Sequence, residues 1–91
     1  MRIMYAKDPI VLLQTLDEKT ISRMLSQIKG LARTPPEGVT YPIKGSRDKR
    51  RYLCCGPWYI VYRYATFKGE GVLYVTNILT DEGMKEVFHV F

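Results

Sequence analysis

The stretch Arg50 to Tyr64, RRYLCCGPWYIVYRY, decides the fold. Two runs rich in aromatic and β-branched residues flank Gly56-Pro57, a turn signal, so the stretch reads as an antiparallel hairpin. With that dipeptide at the centre, Cys54 falls opposite Tyr59, Tyr52 opposite Val61 and Arg50 opposite Arg63. Alternation places Leu53, Cys55, Trp58, Ile60 and Tyr62 on one face, with Arg51 at its end, and Arg50, Tyr52, Cys54, Tyr59, Val61 and Arg63 on the other. The first face is apolar enough to pack on helices. The second sets like charges across a ladder, an arrangement that is unfavourable on its own. It therefore reads either as a surface for an anion, phosphate or a partner's carboxylates, or as an ordinary solvated sheet face.

Charge gathers just before the hairpin. Of the net +5 of the chain, +4 lies within KGSRDKRR, residues 44 to 51, where Lys44, Arg47, Lys49, Arg50 and Arg51 face only Asp48. A concentrated patch points to a polyanionic or acidic partner more directly than a high isoelectric point does, although basic loops without a partner are common.

Outward from the hairpin the pattern is mixed. Arg2 to Tyr5 is a short candidate strand. Asp8-Pro9 predicts a helix start, with Asp8 as N-cap and Pro9 at the first helical position, and Ile10, Leu13 and Leu16 can share a face. Asp17 predicts the cap of a second helix, because Ile21, Met24, Leu25, Ile28 and Leu31 recur at spacings of three and four. Gly30 weakens its end, and Pro35-Pro36 with Gly38 stops it. Tyr41 to Lys44 suits a short extended piece. Lys68 to Gly71 reads as a second turn, and Val72 to Leu79 as the next strand of a meander. Residues 81–91 fit two periods: Met84, Val87, Phe88 and Phe91 suit a helix, while Val87, His89 and Phe91 against Phe88 and Val90 suit a strand.

The order predicts an α+β domain spanning residues 1–91. An N-terminal strand and a helical hairpin pack on one face of a three- or four-stranded antiparallel meander sheet, in two layers, and leave the arginine face open. Ninety-one residues suffice for one core and not two. No apolar run approaches the ~20 residues of a membrane span, and the start lacks a signal-peptide core, so a soluble cytoplasmic protein is expected. Cys54 and Cys55 are adjacent in a strand and point to opposite faces, which argues for two reduced thiols rather than a disulfide or a shared metal. No metal-ligand spacing, Gly-rich phosphate loop or Cys-His arrangement occurs, and no cofactor is expected.

This order, with three local patterns, resembles the RelE/ParE superfamily of toxins from bacterial toxin-antitoxin pairs. The patterns are an apolar helix ending in a proline-bearing turn (Ile21 to Pro36), Ile43-Lys44-Gly45 before the second strand, and Trp58-Tyr59-Ile60-Val61-Tyr62-Arg63. The last two look like the family's L-K-G and Y-R-I-I-Y-R. The short helical hairpin is more similar to the RelE branch than to the ParE branch. The resemblance implies a growth-inhibiting toxin held inactive in a hetero-oligomer by its cognate antitoxin. RelE-type members enter the ribosome and cut messenger RNA by driving a 2'-hydroxyl onto its neighbouring phosphate. ParE-type members poison DNA gyrase, and a third outcome is a degenerate fold that only binds its antitoxin.

RNA cleavage of this kind requires cations for the phosphorane, a group that takes the 2'-hydroxyl proton and one that protonates the leaving oxygen. Arg50 and Arg63, with Lys44, Arg47, Lys49 and Arg51, are candidates for the charge. Tyr52 and Tyr59 are candidates for stacking on splayed bases. Arg51 equally suits a snorkelling side chain on the packed face, and the tyrosines suit plain strand packing. The family's further arginines fall where this chain has Tyr59 and Asp81-Glu82, and its C-terminal tyrosine falls near Phe88, which carries no proton. His89, the lone histidine, and Glu82 or Glu86 remain for acid-base work. Each also has a structural reading: a packed histidine, and acids favoured at a helix start, with Asp81 as a cap.

Overall fold

The computed structural model describes residues 1–89. Strand β1 (Arg2–Tyr5) leads into helices α1 (Lys7–Leu13) and α2 (Glu18–Leu31). Strands β2 (Thr40–Pro42), β3 (Arg51–Cys55), β4 (Trp58–Phe67) and β5 (Glu70–Leu79) follow, and helix α3 (Asp81–Phe88) closes the described chain. The sheet order is β1-β5-β4-β3-β2, with β1 parallel to β5 and every other pair antiparallel. Two short edge strands thus bring the sheet to five, one more than the meander reading allowed.

The central hairpin pairs as read, Cys54 with Tyr59 and Tyr52 with Val61. Its ladder stops at Arg51 opposite Tyr62, so Arg50 lies just beyond the strand and does not face Arg63 across it. Between β4 and β5 the register slips by one: Val61 pairs with Asn77 but Tyr62 with Val75. Thr76 is the extra residue, a bulge pinned by its hydroxyl donating to the Val61 carbonyl at 3.3 Å.

The helix starts follow the sequence in outline. Asp17 occupies the N-cap position of α2, although its side chain makes no capping hydrogen bond. Helix α1 opens two residues earlier than expected, with Ala6 at the cap position, and Pro9 sits in its first turn, where a missing N–H costs little. Leu12, Leu13 and Leu16 pack into the core while Ile10 stays 44% exposed. The helix ends before Leu16, so the spacing that put Ile10 on the same face does not carry across the break.

The main core lies between this helical hairpin and the sheet: Met24, Ile28 and Leu31 of α2 meet Leu53, Cys55, Ile60, Tyr62, Leu73 and Val75. Cys54 is exposed and Cys55 buried, both unbridged.

The opposite face is not left open, contrary to the two-layer expectation. Helix α3 lies there and builds a second cluster of Ile43, Val61 and Met84, with Tyr52, Tyr59, Leu79 and Phe88 packed against it. The cause is legible in retrospect. Val61 is an apolar residue on the supposedly solvent-facing side, and Met84 and Phe88 are one helical turn apart, ready to cover it. Thr80, not Asp81, caps α3, its Oγ1 accepting from the Gly83 amide at 3.3 Å. The helix reading of the C-terminal piece therefore holds through Phe88; Val90 and Phe91 lie outside the described residues.

Candidate anion-binding site

The loop of residues 43–50 carries the site. Ile43 is buried under α3's cluster and fixes one end, and its amide donates to the Arg50 carbonyl at 3.0 Å, closing the loop into a tight excursion. Gly45 and Lys49 adopt left-handed backbone, φ 79° and 55°. Such conformations let eight residues turn back within a short span.

Inside the loop, Ser46 Oγ donates to Asp48 Oδ1 at 2.7 Å and accepts from the Arg50 amide at 3.2 Å. Arg50 Nε donates to Asp48 Oδ2 at 2.8 Å. Arg63 reaches the same oxygen from strand β4, its Nε 3.7 Å away. The two guanidiniums predicted to stand together do so, through one carboxylate oxygen and not through the ladder.

Each arginine has a second support. Arg50 Nη1 donates to Asn77 Oδ1 at 3.4 Å, and its guanidinium stacks 5.7 Å from the Phe88 ring centre. Arg63 lies 5.4 Å from the ring centre of Tyr74, its cross-strand partner. The side chains of Arg50, Arg63 and Asp48 remain 29%, 33% and 34% exposed, so the cluster is open to a ligand. Burial alone would raise the Asp48 carboxyl. The hydrogen bonds from Ser46 and Arg50 and the Arg50 charge outweigh it and hold the group below the ordinary carboxylate range.

Two cations against one carboxylate leave a net positive charge in fixed geometry. Lys44, Arg47 and Lys49 stand exposed on the same loop and extend the field. Planar guanidinium forks aimed at one oxygen suit a phosphate as well as a carboxylate. An open cleft of about 420 Å³ between this loop and Val87 and Phe88 gives access from the C-terminal end of α3.

The remaining candidates separate from this centre. Arg51 turns toward the sheet edge, where its Nε and Nη2 donate to Thr40 Oγ1 at 3.2 and 3.1 Å, and Nη2 also to the Thr40 carbonyl at 3.3 Å. It anchors β2. Tyr52 sits in an aromatic row between Tyr41 and Tyr59, ring centres 5.4 and 5.6 Å apart.

Tyr59 donates its hydroxyl to Asp81, and that hydrogen bond, with desolvation and the Asp81 charge, pushes its pKa up to about 12. It is thus held protonated. Glu82 follows in the exposed first turn of α3, beside the same tyrosine, while His89 caps the other end of the helix in left-handed backbone. Seven residues of helix put Glu82 and His89 about 10 Å apart along the axis, so they do not converge as an acid-base pair.

Sequence reasoning missed Asn77, Tyr74 and Phe88 as supports and treated Asp48 only as a counter-charge. The signal for Asp48 was its place as the single acid in the basic run. No comparable signal marked Asn77, which the bulge at Thr76 aims toward Arg50. Among the described residues there is no group of three His, Cys, Asp or Glu side chains placed to hold a metal ion. No described helix is long and apolar enough to cross a membrane.

Comparison with solved structures places this architecture. The chain superposes on a YoeB/ParE toxin from Agrobacterium tumefaciens with a TM-score of 0.70 at 19% identity, over 88% of this chain and 98% of that one. It superposes on a chain of the archaeal RelE-RelB complex from Pyrococcus horikoshii OT3 with a TM-score of 0.66 at 17% identity, over 87% and 92%. No protein-family model and no curated protein sequence matches. The fold is therefore the one found in these two structures, in line with the hairpin and loop patterns.

Proposed function

We propose that this chain is the toxin of a toxin-antitoxin pair and that it cleaves messenger RNA on the ribosome, taking a phosphate of the message on Arg50 and Arg63. The observation that carries the reading is the convergence of both guanidiniums on one oxygen, Asp48 Oδ2. In this reading that oxygen marks the place of a phosphate oxygen. Attack of a 2'-hydroxyl adds negative charge to the phosphate, and two fixed cations stabilise the phosphorane more than the starting diester. Lys44, Arg47 and Lys49 steer the strand by its backbone, and Tyr52, within its aromatic row, offers a stacking surface beside it.

The partner in the resting cell is an antitoxin protein, in a cytoplasmic hetero-oligomer. A segment bearing carboxylates suits the loop, where five cations face one acid. The likeness in shape to a chain of a RelE-RelB complex supports such a partner.

A second reading, a non-enzymatic poison of gyrase or a fold that only binds its antitoxin, draws on a different observation. Tyr59 is sealed by Asp81, and Glu82 and His89 lie at opposite ends of α3. Toeprinting on translating ribosomes separates the readings. The nuclease gives truncated message with the chain alone, whereas intact message at saturating protein with inhibited gyrase supercoiling transfers the proposal to the second reading.

A further inference from the structure

If the chain cuts RNA, something must accept the proton of the attacking 2'-hydroxyl. Tyr59 is a donor held on Asp81, Glu82 lies in the first turn of α3, and His89 follows Phe88 at the other end of that helix. Among the described residues, the carboxylate in contact with both guanidiniums is that of Asp48.

Resting on the RNA-cleavage reading, we propose that Asp48 is the general base of the reaction, occupying the phosphate position in the free protein and receiving the 2'-hydroxyl proton when a phosphate displaces it. Three observations lead to this. First, Asp48 is held at two points: Oδ2 by Arg50 and Arg63, and Oδ1 by Ser46 at 2.7 Å. A phosphate that takes over the arginines releases Oδ2, while the Ser46 hydroxyl keeps the carboxylate beside the incoming group. A reacting 2'-oxygen lies within about 3–3.5 Å of its phosphorus, which brings it into reach of a carboxylate retained at the same place.

Second, the charges balance. Two guanidiniums, one carboxylate and one phosphodiester sum to zero. Moving the proton from the 2'-oxygen to Asp48 leaves a neutral acid, a doubly negative phosphorane and the same two cations. Proton transfer thus turns an arginine pair half-satisfied by Asp48 into one fully matched to the transition state.

Third, the contacts that make Asp48 a poor base in the free protein are the ones a phosphate removes. Its hydrogen bond from Arg50 is lost and a negative charge arrives beside it, both of which favour proton uptake.

The step is closed chemically. The 2'-O–H bond breaks and its proton goes to Asp48. The 2'-oxygen bonds to phosphorus, the bond from phosphorus to the 5'-oxygen breaks, and that oxygen takes a proton from water. The products are a 2',3'-cyclic phosphate and a 5'-hydroxyl, and Asp48 returns its proton to solvent. Ground-state binding and catalysis then respond oppositely to the loss of the carboxylate.

The test compares wild type, Asp48→Asn and Asp48→Ala on messenger-programmed ribosomes, with melting curves of each. The expected results for Asp48→Asn are equal or tighter binding to the ribosome-message complex and cleavage slower by about 10²–10⁴-fold. For Asp48→Ala, added formate and acetate restore cleavage, acetate more than formate because it is the stronger base. Cleavage by Asp48→Asn within a few-fold of wild type overturns the assignment and leaves the nuclease reading standing. If Asp48→Asn melts well below wild type, the rescue decides: restoration that is absent, or equal for both carboxylates, reduces Asp48 to a spacer between arginines. Intact message with the wild type removes the nuclease reading itself, and the base with it.

Discussion

The Arg50 guanidinium lies 5.7 Å from the centre of the Phe88 ring, so the basic loop and the C-terminal helix hold each other in place. This contact links the two parts of the chain that depart most from a bare helices-on-sheet design. A double-mutant cycle on Arg50→Ala and Phe88→Ala is expected to give a coupling of about 0.5–1 kcal/mol in urea denaturation, the usual size of a partly exposed cation–π pair. Additive losses would mean that Phe88 serves only the Val61 and Met84 cluster.

Tyr59 supplies a prediction at high pH. Its hydroxyl, hydrogen-bonded to Asp81, has its pKa pushed up from 10.0 to about 12, so the folded chain resists its ionisation. A raised folded value stabilises fully below the unfolded value and loses that contribution as pH climbs from about 10 to about 12. Phenolate absorbance should therefore show a late tyrosine that disappears in Tyr59→Phe and moves to lower pH in Asp81→Ala. An unchanged late step in both variants would break the assignment.

Arg51 is predicted to act on stability and not on RNA. Its three hydrogen bonds to Thr40 hold the edge strand β2 to β3. Arg51→Ala should cost about 1–2 kcal/mol and speed amide exchange in residues 40–42, with cleavage by the folded protein kept. Loss of cleavage at unchanged stability would return Arg51 to the RNA surface.

Core substitutions divide by burial. Tyr62 is 1% exposed between the helices and the sheet, and Tyr62→Ala should cost about 3–5 kcal/mol in chemical denaturation. Trp58 only packs against the edge of that core and is half-buried, so Trp58→Ala should cost less, despite the larger ring. The reverse order would show that the end of the hairpin, not its middle, carries the core.

The hairpin was legible because alternation and the Gly56-Pro57 turn act locally, and the pairing of Cys54 with Tyr59 follows from them. Helix α2 was legible for the same reason, since its apolar spacing runs unbroken from Ile21 to Leu31. What escaped were contacts between distant segments. The parallel pairing of β1 with β5 joins strands some seventy residues apart in sequence, Arg2 to Val72 for one, and nothing in residues 2–5 names its partner. The bulge at Thr76 shifts the register of β5 by one, and with it the position of Asn77. The cover of α3 over Val61 depended on choosing between two periods in a segment of eleven residues. Arg50 and Arg63 come together in a different geometry from the one read, meeting through Asp48 and not across the ladder.

The central claim is that Arg50 and Arg63 act together on a phosphate. Its most direct test is the single-turnover rate of message cleavage on programmed ribosomes by wild type, Arg50→Ala and Arg63→Ala, each shown by its melting curve to be folded. The account predicts that each variant loses at least about a hundredfold in rate, as expected for removing a charge-stabilising donor, and that the double variant loses little more because the pair works as a unit. Folded single variants that cut at the wild-type rate would contradict it.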